Sequence, residues 1–348
     1  MRTYSGFTEC YTDLLRLVMC DPHHVCRPGE ANRPKGRGGG QEIRERLCQG
    51  FMLSDPRDRL ALVPARDLSV SYVVAELLWY LSGSDSTEWI GYYAPFWRNI
   101  TDDGTTANSA YGARIFRNYH SRIHGGIPGA TESGPEPRGQ SQWDYVKSEL
   151  KRDPESRRAV LQIRSAQDSW LADKDVPCTL ALQFFLRDGK LHLVVTMRSS
   201  DAVLGIPYDV AAFTTFQELM ALELGVGLGT YMHVSNSLHV YERDFEMVER
   251  ILTAPSARIT TAPMPPMPCQ PPIMTLSAVE SLLRECTDST MIMQRLEDSR
   301  IALGPTGDYW QDWIKVLASN RAGKLGLKDQ QRALLDSTQW HGYSTFSR

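Results

Sequence analysis

The chain has 348 residues, 42% of them hydrophobic and 23% charged, with a formal net charge of −3 at pH 7. That length suits one large domain or two ordinary ones with a full core. The charge is too small to argue for a nucleic-acid or membrane-binding surface. No run approaches the ~18 apolar residues of a membrane span, and the N-terminal MRTYSGFTECYTDLLRLVMC lacks a signal-peptide pattern, so a cytoplasmic protein is expected.

Residues 5–20 read as an amphipathic helix, followed by a basic, Gly-rich loop over 27–46 that lacks the GxxxxGK[ST] pattern of a P-loop. DLSVSYVVAELLWYLSG (68–83) is a nearly all-apolar helix stopped by Gly83. Residues 120–142, rich in Gly, Pro and Ser, read as a surface excursion or lid. Strands are expected at 159–165, at 180–199 as a hairpin turning at Asp188-Gly189, and at 231–241. A long buried helix over 209–225 ends at Gly225. A proline-rich connector (262–272) then leads into helical material. The mixture indicates an α/β or α+β body over residues 1–260 with a helical extension over 261–348 packed on it.

The seven cysteines, Cys10, Cys20, Cys26, Cys48, Cys178, Cys269 and Cys286, are odd in number and contain no CxxC pair, so reduced thiols are expected. His23, His24 and Cys26 have no second ligand cluster, and a surface turn explains them without a metal.

Several polar residues stand out against apolar surroundings. Cys178, after a proline and at the start of a strand, is either a buried structural thiol or a nucleophile. Arg157, Arg158 and Arg198 at strand ends, with Arg37 in the Gly-rich loop, suit a phosphate dianion, which guanidinium forks bind bidentately. Glu76 in VVAELLWYL is either an exposed position or a desolvated acid suited to proton transfer, and periodicity puts Val73, Leu77 and Tyr80 beside it. His239 and Tyr241 share one strand face and could hold a sugar hydroxyl or form a core pair. Asp209, in LGIPYDVAAF, lies among residues that all look buried, where an unpaired charge costs several kcal/mol.

Taken in order, AELLWYLSG, SAYGARI, DPESRR, DVPCTLALQF, MRSSDAVLGIPYDVAAF and LELGVGLGTYMHVSNSLHVYERD resemble the thymidylate synthase family over about residues 36–250. The resemblance implies a twisted mixed sheet flanked by helices, packed sheet to sheet in a homodimer. It makes Cys178 the nucleophile at C6 of a pyrimidine nucleotide and 5,10-methylenetetrahydrofolate the one-carbon donor. Glu76 then matches the general acid/base and Tyr111 the tyrosine of the proton network at C5. Arg37, Arg198 and Ser199 match phosphate contacts, with Arg157 and Arg158 reaching across from the partner subunit. His239 and Tyr241 match contacts to the sugar 3′-hydroxyl, while Asp201, Gly205 and Trp97 match the folate side.

Most of that family carry asparagine where this chain has Asp209. An amide both donates and accepts, whereas a carboxylate only accepts. Asp209 therefore complements the cytosine N4 amino group and repels uracil O4. The same change marks the family's cytidylate hydroxymethylases, which add water to the exocyclic methylene group. Thr179 after the nucleophile and Met197 before Arg198 depart from the usual pattern in the direction of a hydroxylating branch, and HGYSTFSR differs from the short apolar tail that closes classical synthases over folate. The expectation is a cytidylate 5-hydroxymethyltransferase acting on CMP or dCMP. Methylation, uridylate as substrate, and a non-catalytic nucleotide- or RNA-binding homologue remain the alternatives.

Overall fold

The computed structural model describes residues 1–28, 40–117, 141–171, 174–254, 263–304 and 307–346. Arg37 and nearly all of the 120–142 excursion lie outside these residues, as does the middle of the 27–46 loop.

In chain order, strand β1 (Arg2–Tyr4) leads into helix α1 (Phe7–Cys20), then β2 (His24–Cys26) and β3 (Ile43–Leu53). Helices α2 (Val70–Leu81), α3 (Thr87–Tyr93), α4 (Trp97–Ile100), α5 (Tyr111–Phe116) and α6 (Gln142–Arg152) follow. Next come β4 (Val160–Gln162), α7 (Asp168–Leu171), β5 (Thr179–Arg187), β6 (Lys190–Met197) and β7 (Ser200–Asp201). Helix α8 (Ile206–Leu224) and strand β8 (Gly227–Tyr241) complete the sheet layer, and α9 (Phe245–Thr253) leaves it. The C-terminal part is helical: α10 (Ile273–Glu285), α11 (Ser289–Leu303), α12 (Asp308–Lys324) and α13 (Lys328–Asp336).

The strands form one mixed sheet in the order β1-β3-β8-β6-β5-β4, with β2 on β3 and β7 on β8. β5 and β6 are the expected hairpin, and Asp188 and Gly189 both take positive φ (50° and 71°) as a tight primed turn requires. β6 runs parallel to β8, so α8 crosses over between them and covers one face of the sheet. The alternation of β6 follows from this. Leu191, Leu193, Val195 and Met197 are buried, while His192, Val194 and Thr196 on the opposite face are half-buried. Gly225 at φ 69° ends α8, and Gly83 at φ 67° follows α2, where glycine adopts the left-handed conformation without a Cβ penalty.

One expectation needs correction. The 27–46 segment is not loop throughout, because β3 begins at Ile43 and pairs antiparallel with Tyr231–Tyr241 of β8. Its sequence, IRERLCQGFML, hides the strand: charged residues dominate its first half, and the ladder skips Cys48, which sits at φ 54°. Alternation is broken where it would have been read.

The C-terminal helices pack on the same core. Asn320 Nδ2 of α12 donates to Ser71 Oγ of α2 at 3.1 Å, and Tyr93 OH of α3 donates to Glu280 Oε1 of α10 at 2.8 Å. In the connector, the Met267 amide donates to Glu218 Oε1 of α8 at 2.8 Å. The other oxygen of Glu218 accepts from Arg59, which is itself buried and also donates to Thr215 Oγ1 at 2.8 Å.

Candidate active site

Helix α2 is apolar on every side, and each of its twelve residues, Glu76 included, is buried. Glu76 is 6% exposed, so the sequence alternative of a solvent-facing glutamate falls away. Burial pushes its carboxyl up from 4.5 to about 7, against the pull of two tyrosines that donate to it. Tyr72 OH, one turn earlier, donates to Oε1 at 2.5 Å; Tyr80 OH, one turn later, donates to the same oxygen at 3.2 Å.

Tyr80 stacks on Tyr111 at the start of α5, with ring centroids 5.4 Å apart. The close approach of α5 to α2 depends on Gly112, since a Cβ there would lie 2.0 Å from the Tyr80 carbonyl oxygen. Tyr111 reaches the sheet by a hydrogen bond with Thr179, the residue after Cys178. Thr179 also donates to Met197 Sδ, so two of the positions that depart from the family pattern touch each other.

Cys178 is half-buried at the start of β5, opposite the end of β6. The Arg198 amide donates to the Cys178 carbonyl at 2.9 Å, which brings the Arg198 guanidinium to 3.7 Å from Sγ. A cation at that range favours the thiolate. Nε and Nη2 of Arg198 are also held by the carbonyls of Pro177 and Val176 at 2.9 and 2.8 Å.

From Arg198 the chain passes half-buried Ser199 into β7, whose Asp201 pairs with His239 of β8. Asp201 Oδ1 accepts the amides of Val203 and Leu204 at 2.8 and 3.0 Å, and Oδ2 faces Arg243. This turn delivers Gly205 to the start of α8. A Cβ on Gly205 would crowd the Asp201 carbonyl at 3.0 Å and Asp209 Oδ2 at 3.4 Å, so glycine keeps the space between the two acids open. His239 and Tyr241, both buried, meet edge to face at 4.9 Å, and Arg243 lies over the Tyr241 ring.

Asp209, in the first turn of α8, has no hydrogen bond or ion pair to its carboxylate among the described residues. The residue is half-buried, yet its carboxyl sits deep among protein atoms. Desolvation, then the nearby Glu76 and Asp201 carboxyls, hold it well above the usual carboxylate range. It faces like charge and no partner, which is the condition of a group that awaits a ligand.

Cys178, Arg198, Tyr111, Glu76 and Asp209 therefore come together through direct or electrostatic contacts. Arg157 and Arg158 do not join them: both are exposed on the approach to β4, the edge strand. Trp97, expected on the folate side, is 6% exposed and donates its indole N–H to Tyr72 OH at 2.9 Å, behind Glu76. Sequence reasoning missed Tyr72, although a tyrosine four residues before a helical glutamate shares its face. No three His, Cys, Asp or Glu side chains converge as a metal site among the described residues, and none of the described helices is long and apolar enough to cross a membrane.

Comparison with known proteins gives concordant results. The family model described as thymidylate synthase matches residues 21–270. A deoxyuridylate hydroxymethyltransferase of Bacillus phage SP01 is 33% identical over 250 residues, covering 70% of this chain. The chain spans 60% of the length of that relative. The thermostable thymidylate synthase A of Bacillus subtilis superposes with a TM-score of 0.56 at 19% identity, over 71% of this chain and 84% of that one, and so shares the fold.

Proposed function

This chain belongs to the thymidylate synthase family, and from that premise we propose that it hydroxymethylates C5 of a cytidine monophosphate, CMP or dCMP. The observation that carries the reading is the Asp209 carboxyl, deep in the site and without a hydrogen-bond or ion-pair partner among the described residues. A carboxylate accepts from the N4 amino group of cytosine, and its second oxygen accepts from N3 when that atom is protonated. Uracil presents O4 to the same carboxylate, an acceptor against a charge, at a penalty of about 2–5 kcal/mol.

Cys178 Sγ adds to C6, with Arg198 at 3.7 Å stabilising the thiolate that attacks. Asp209, protonated before the thiol adds, passes its proton to N3 as charge develops there and is then the carboxylate that accepts from N3–H and N4, and C5 becomes the nucleophilic carbon. 5,10-Methylenetetrahydrofolate, when bound, supplies the one-carbon unit. The residues fit it: the Asp201 carboxylate matches pterin N–H donors, and Gly205 leaves open the space that a Cβ would fill. The C5 proton leaves through the hydrogen-bonding network in which Tyr111 stands. Glu76, poised near neutrality, activates the water that adds to the exocyclic methylene carbon, after which Cys178 leaves and tetrahydrofolate is the other product.

Ser199 and Arg198 serve the phosphate, His239 and Tyr241 the sugar. The exposed Arg157 and Arg158 complete the phosphate site of the partner in a sheet-to-sheet homodimer. The face of the sheet opposite α8 supports that assembly, because Val194 and Met232 are adjacent there and only half-buried.

A second reading, hydroxymethylation of dUMP, is favoured by the raised affinity of Asp209 for its proton. A neutral carboxyl donates and accepts as an amide does, and it pairs with O4 and N3–H of uracil. The phage relative named a deoxyuridylate hydroxymethyltransferase agrees with this. Comparing kcat/KM for CMP, dCMP and dUMP with methylenetetrahydrofolate present separates the two. The product mass gain of about 30 rather than about 14 Da separates hydroxymethyl from methyl transfer. Preference for dUMP removes the cytidylate reading, and a gain of about 14 Da removes hydroxymethylation.

A further inference from the structure

Glu76 is held in an asymmetric way. Both tyrosine hydroxyls donate to Oε1, at 2.5 Å from Tyr72 and 3.2 Å from Tyr80, while Oε2 makes no hydrogen bond among the described residues. The Tyr72 oxygen in turn accepts the Trp97 indole N–H at 2.9 Å. None of the three side chains is loose. Trp97 is wedged between Trp79 and Phe96, with centroids 5.2 and 5.5 Å away. Tyr72 meets Tyr208 edge-on at 4.8 Å, and Tyr80 stacks on Tyr111.

We propose that Tyr72 and Tyr80 are positioning residues that clamp Oε1 of Glu76, leave Oε2 as the atom that exchanges the proton in the cleft, and receive support from Trp97 through Tyr72. The inference rests on the reading of Glu76 as acid/base in one-carbon transfer and deepens it. The chemistry follows from donor count. A carboxylate oxygen saturated by two O–H donors is a poor proton acceptor, so protonation is directed to the other oxygen. Two rigid donors one helical turn to either side also fix the plane of the carboxyl.

The surrounding charges leave the tyrosines this task. Facing Glu76 are Asp209 and Tyr208 from α8 and Tyr111 from α5, all acidic or neutral. Among the described residues no cation acts on its carboxyl; burial raises it, and the Tyr72 and Tyr80 hydrogen bonds are what lower it. Without them the acid would stay protonated through neutrality and could not serve as a base.

The test uses the full chain with Tyr72→Phe, Tyr80→Phe and Trp97→Phe. The Glu76 titration is followed by isotope-edited infrared spectroscopy of the carboxyl, assigned by its loss in Glu76→Gln, alongside the pH profile of kcat. Each tyrosine variant is expected to move the Glu76 midpoint up by about one pH unit, with the acid limb of kcat moving equally. Trp97→Phe moves it in the same direction by less. A midpoint that stays in place in Tyr72→Phe and Tyr80→Phe, or a kcat lowered by the same factor at every pH, overturns the clamp. Tyr80→Phe keeps the stacked ring and loses only the longer hydrogen bond, so it decides the matter even if Tyr72→Phe fails to fold. The infrared titration needs no turnover, so it still reports on the clamp if no nucleotide is converted and the functional reading fails.

Discussion

Replacing Glu76 with glutamine has a consequence for stability that is independent of catalysis. The carboxyl titrates at about 7 in the folded protein against 4.5 when unperturbed. The native state therefore holds this proton more tightly than the unfolded chain does. Stability falls as pH rises from about 4.5 to 7, by up to about 1.36 kcal/mol per pH unit, and is flat in this component above that. The whole effect is about 3 kcal/mol, a large share of the 5–15 kcal/mol typical of a domain. Glutamine keeps an oxygen for the Tyr72 and Tyr80 hydroxyls but has no proton to lose. Relative to wild type, Glu76→Gln should be nearly neutral at pH 5 and stabilising by up to about 3 kcal/mol at pH 8. Urea unfolding at fixed protein concentration, from pH 5 to 8, measures the difference. Parallel stability curves for the two proteins would refute the claim that burial at this position holds an acid against ionisation.

Asp209→Asn should shift preference from cytosine to uracil nucleotides by at least about 30-fold in the kcat/KM ratio, since about 2 kcal/mol of mismatch changes sides; an unchanged ratio of dCMP to dUMP turnover rejects Asp209 as the base-reading group. Cys178→Ser should abolish product formation while calorimetry still detects nucleotide binding, and residual turnover near wild type removes the covalent mechanism. Glu218→Ala leaves Arg59 charged and unpaired in the core, so a loss of about 3–5 kcal/mol is expected in chemical unfolding; a loss under about 1 kcal/mol means that the pair is not isolated from water.

The sequence made the site legible and left its supports obscure, for a physical reason. Glu76, Cys178 and Asp209 stand out because a polar group in an apolar run is costly and so draws notice wherever it occurs. The β5–β6 hairpin and α8 carry strong local signals, in Asp188-Gly189 and in Gly225, and both appear where expected. β3 carries no such signal: its first half is as polar as a loop, and it is a strand because β8 supplies a partner for every residue but Cys48. Tertiary pairing decided what local pattern could not. Trp97 shows the converse. An aromatic residue near a folate site reads as a wall, but which way the indole points depends on Tyr72, and that was fixed only once α2 and α4 were packed.

The C-terminal helices account for a property of α2 that the site needs. A helix apolar all round must be covered all round, and α3, α5 and α8 cover only part of it. α12, which lies beyond the segment matched by the family model, takes up another part, with Asn320 bonded to Ser71 in the first turn of α2. The connector also reaches α8 through Glu218, two and a half turns after Asp209 on the same helix. The extension thus holds both helices that carry the buried acids. An acid stays protonated near neutrality only while water is kept from it. Loosening the packing of α12 on α2 would therefore lower the Glu76 midpoint before it unfolded the sheet.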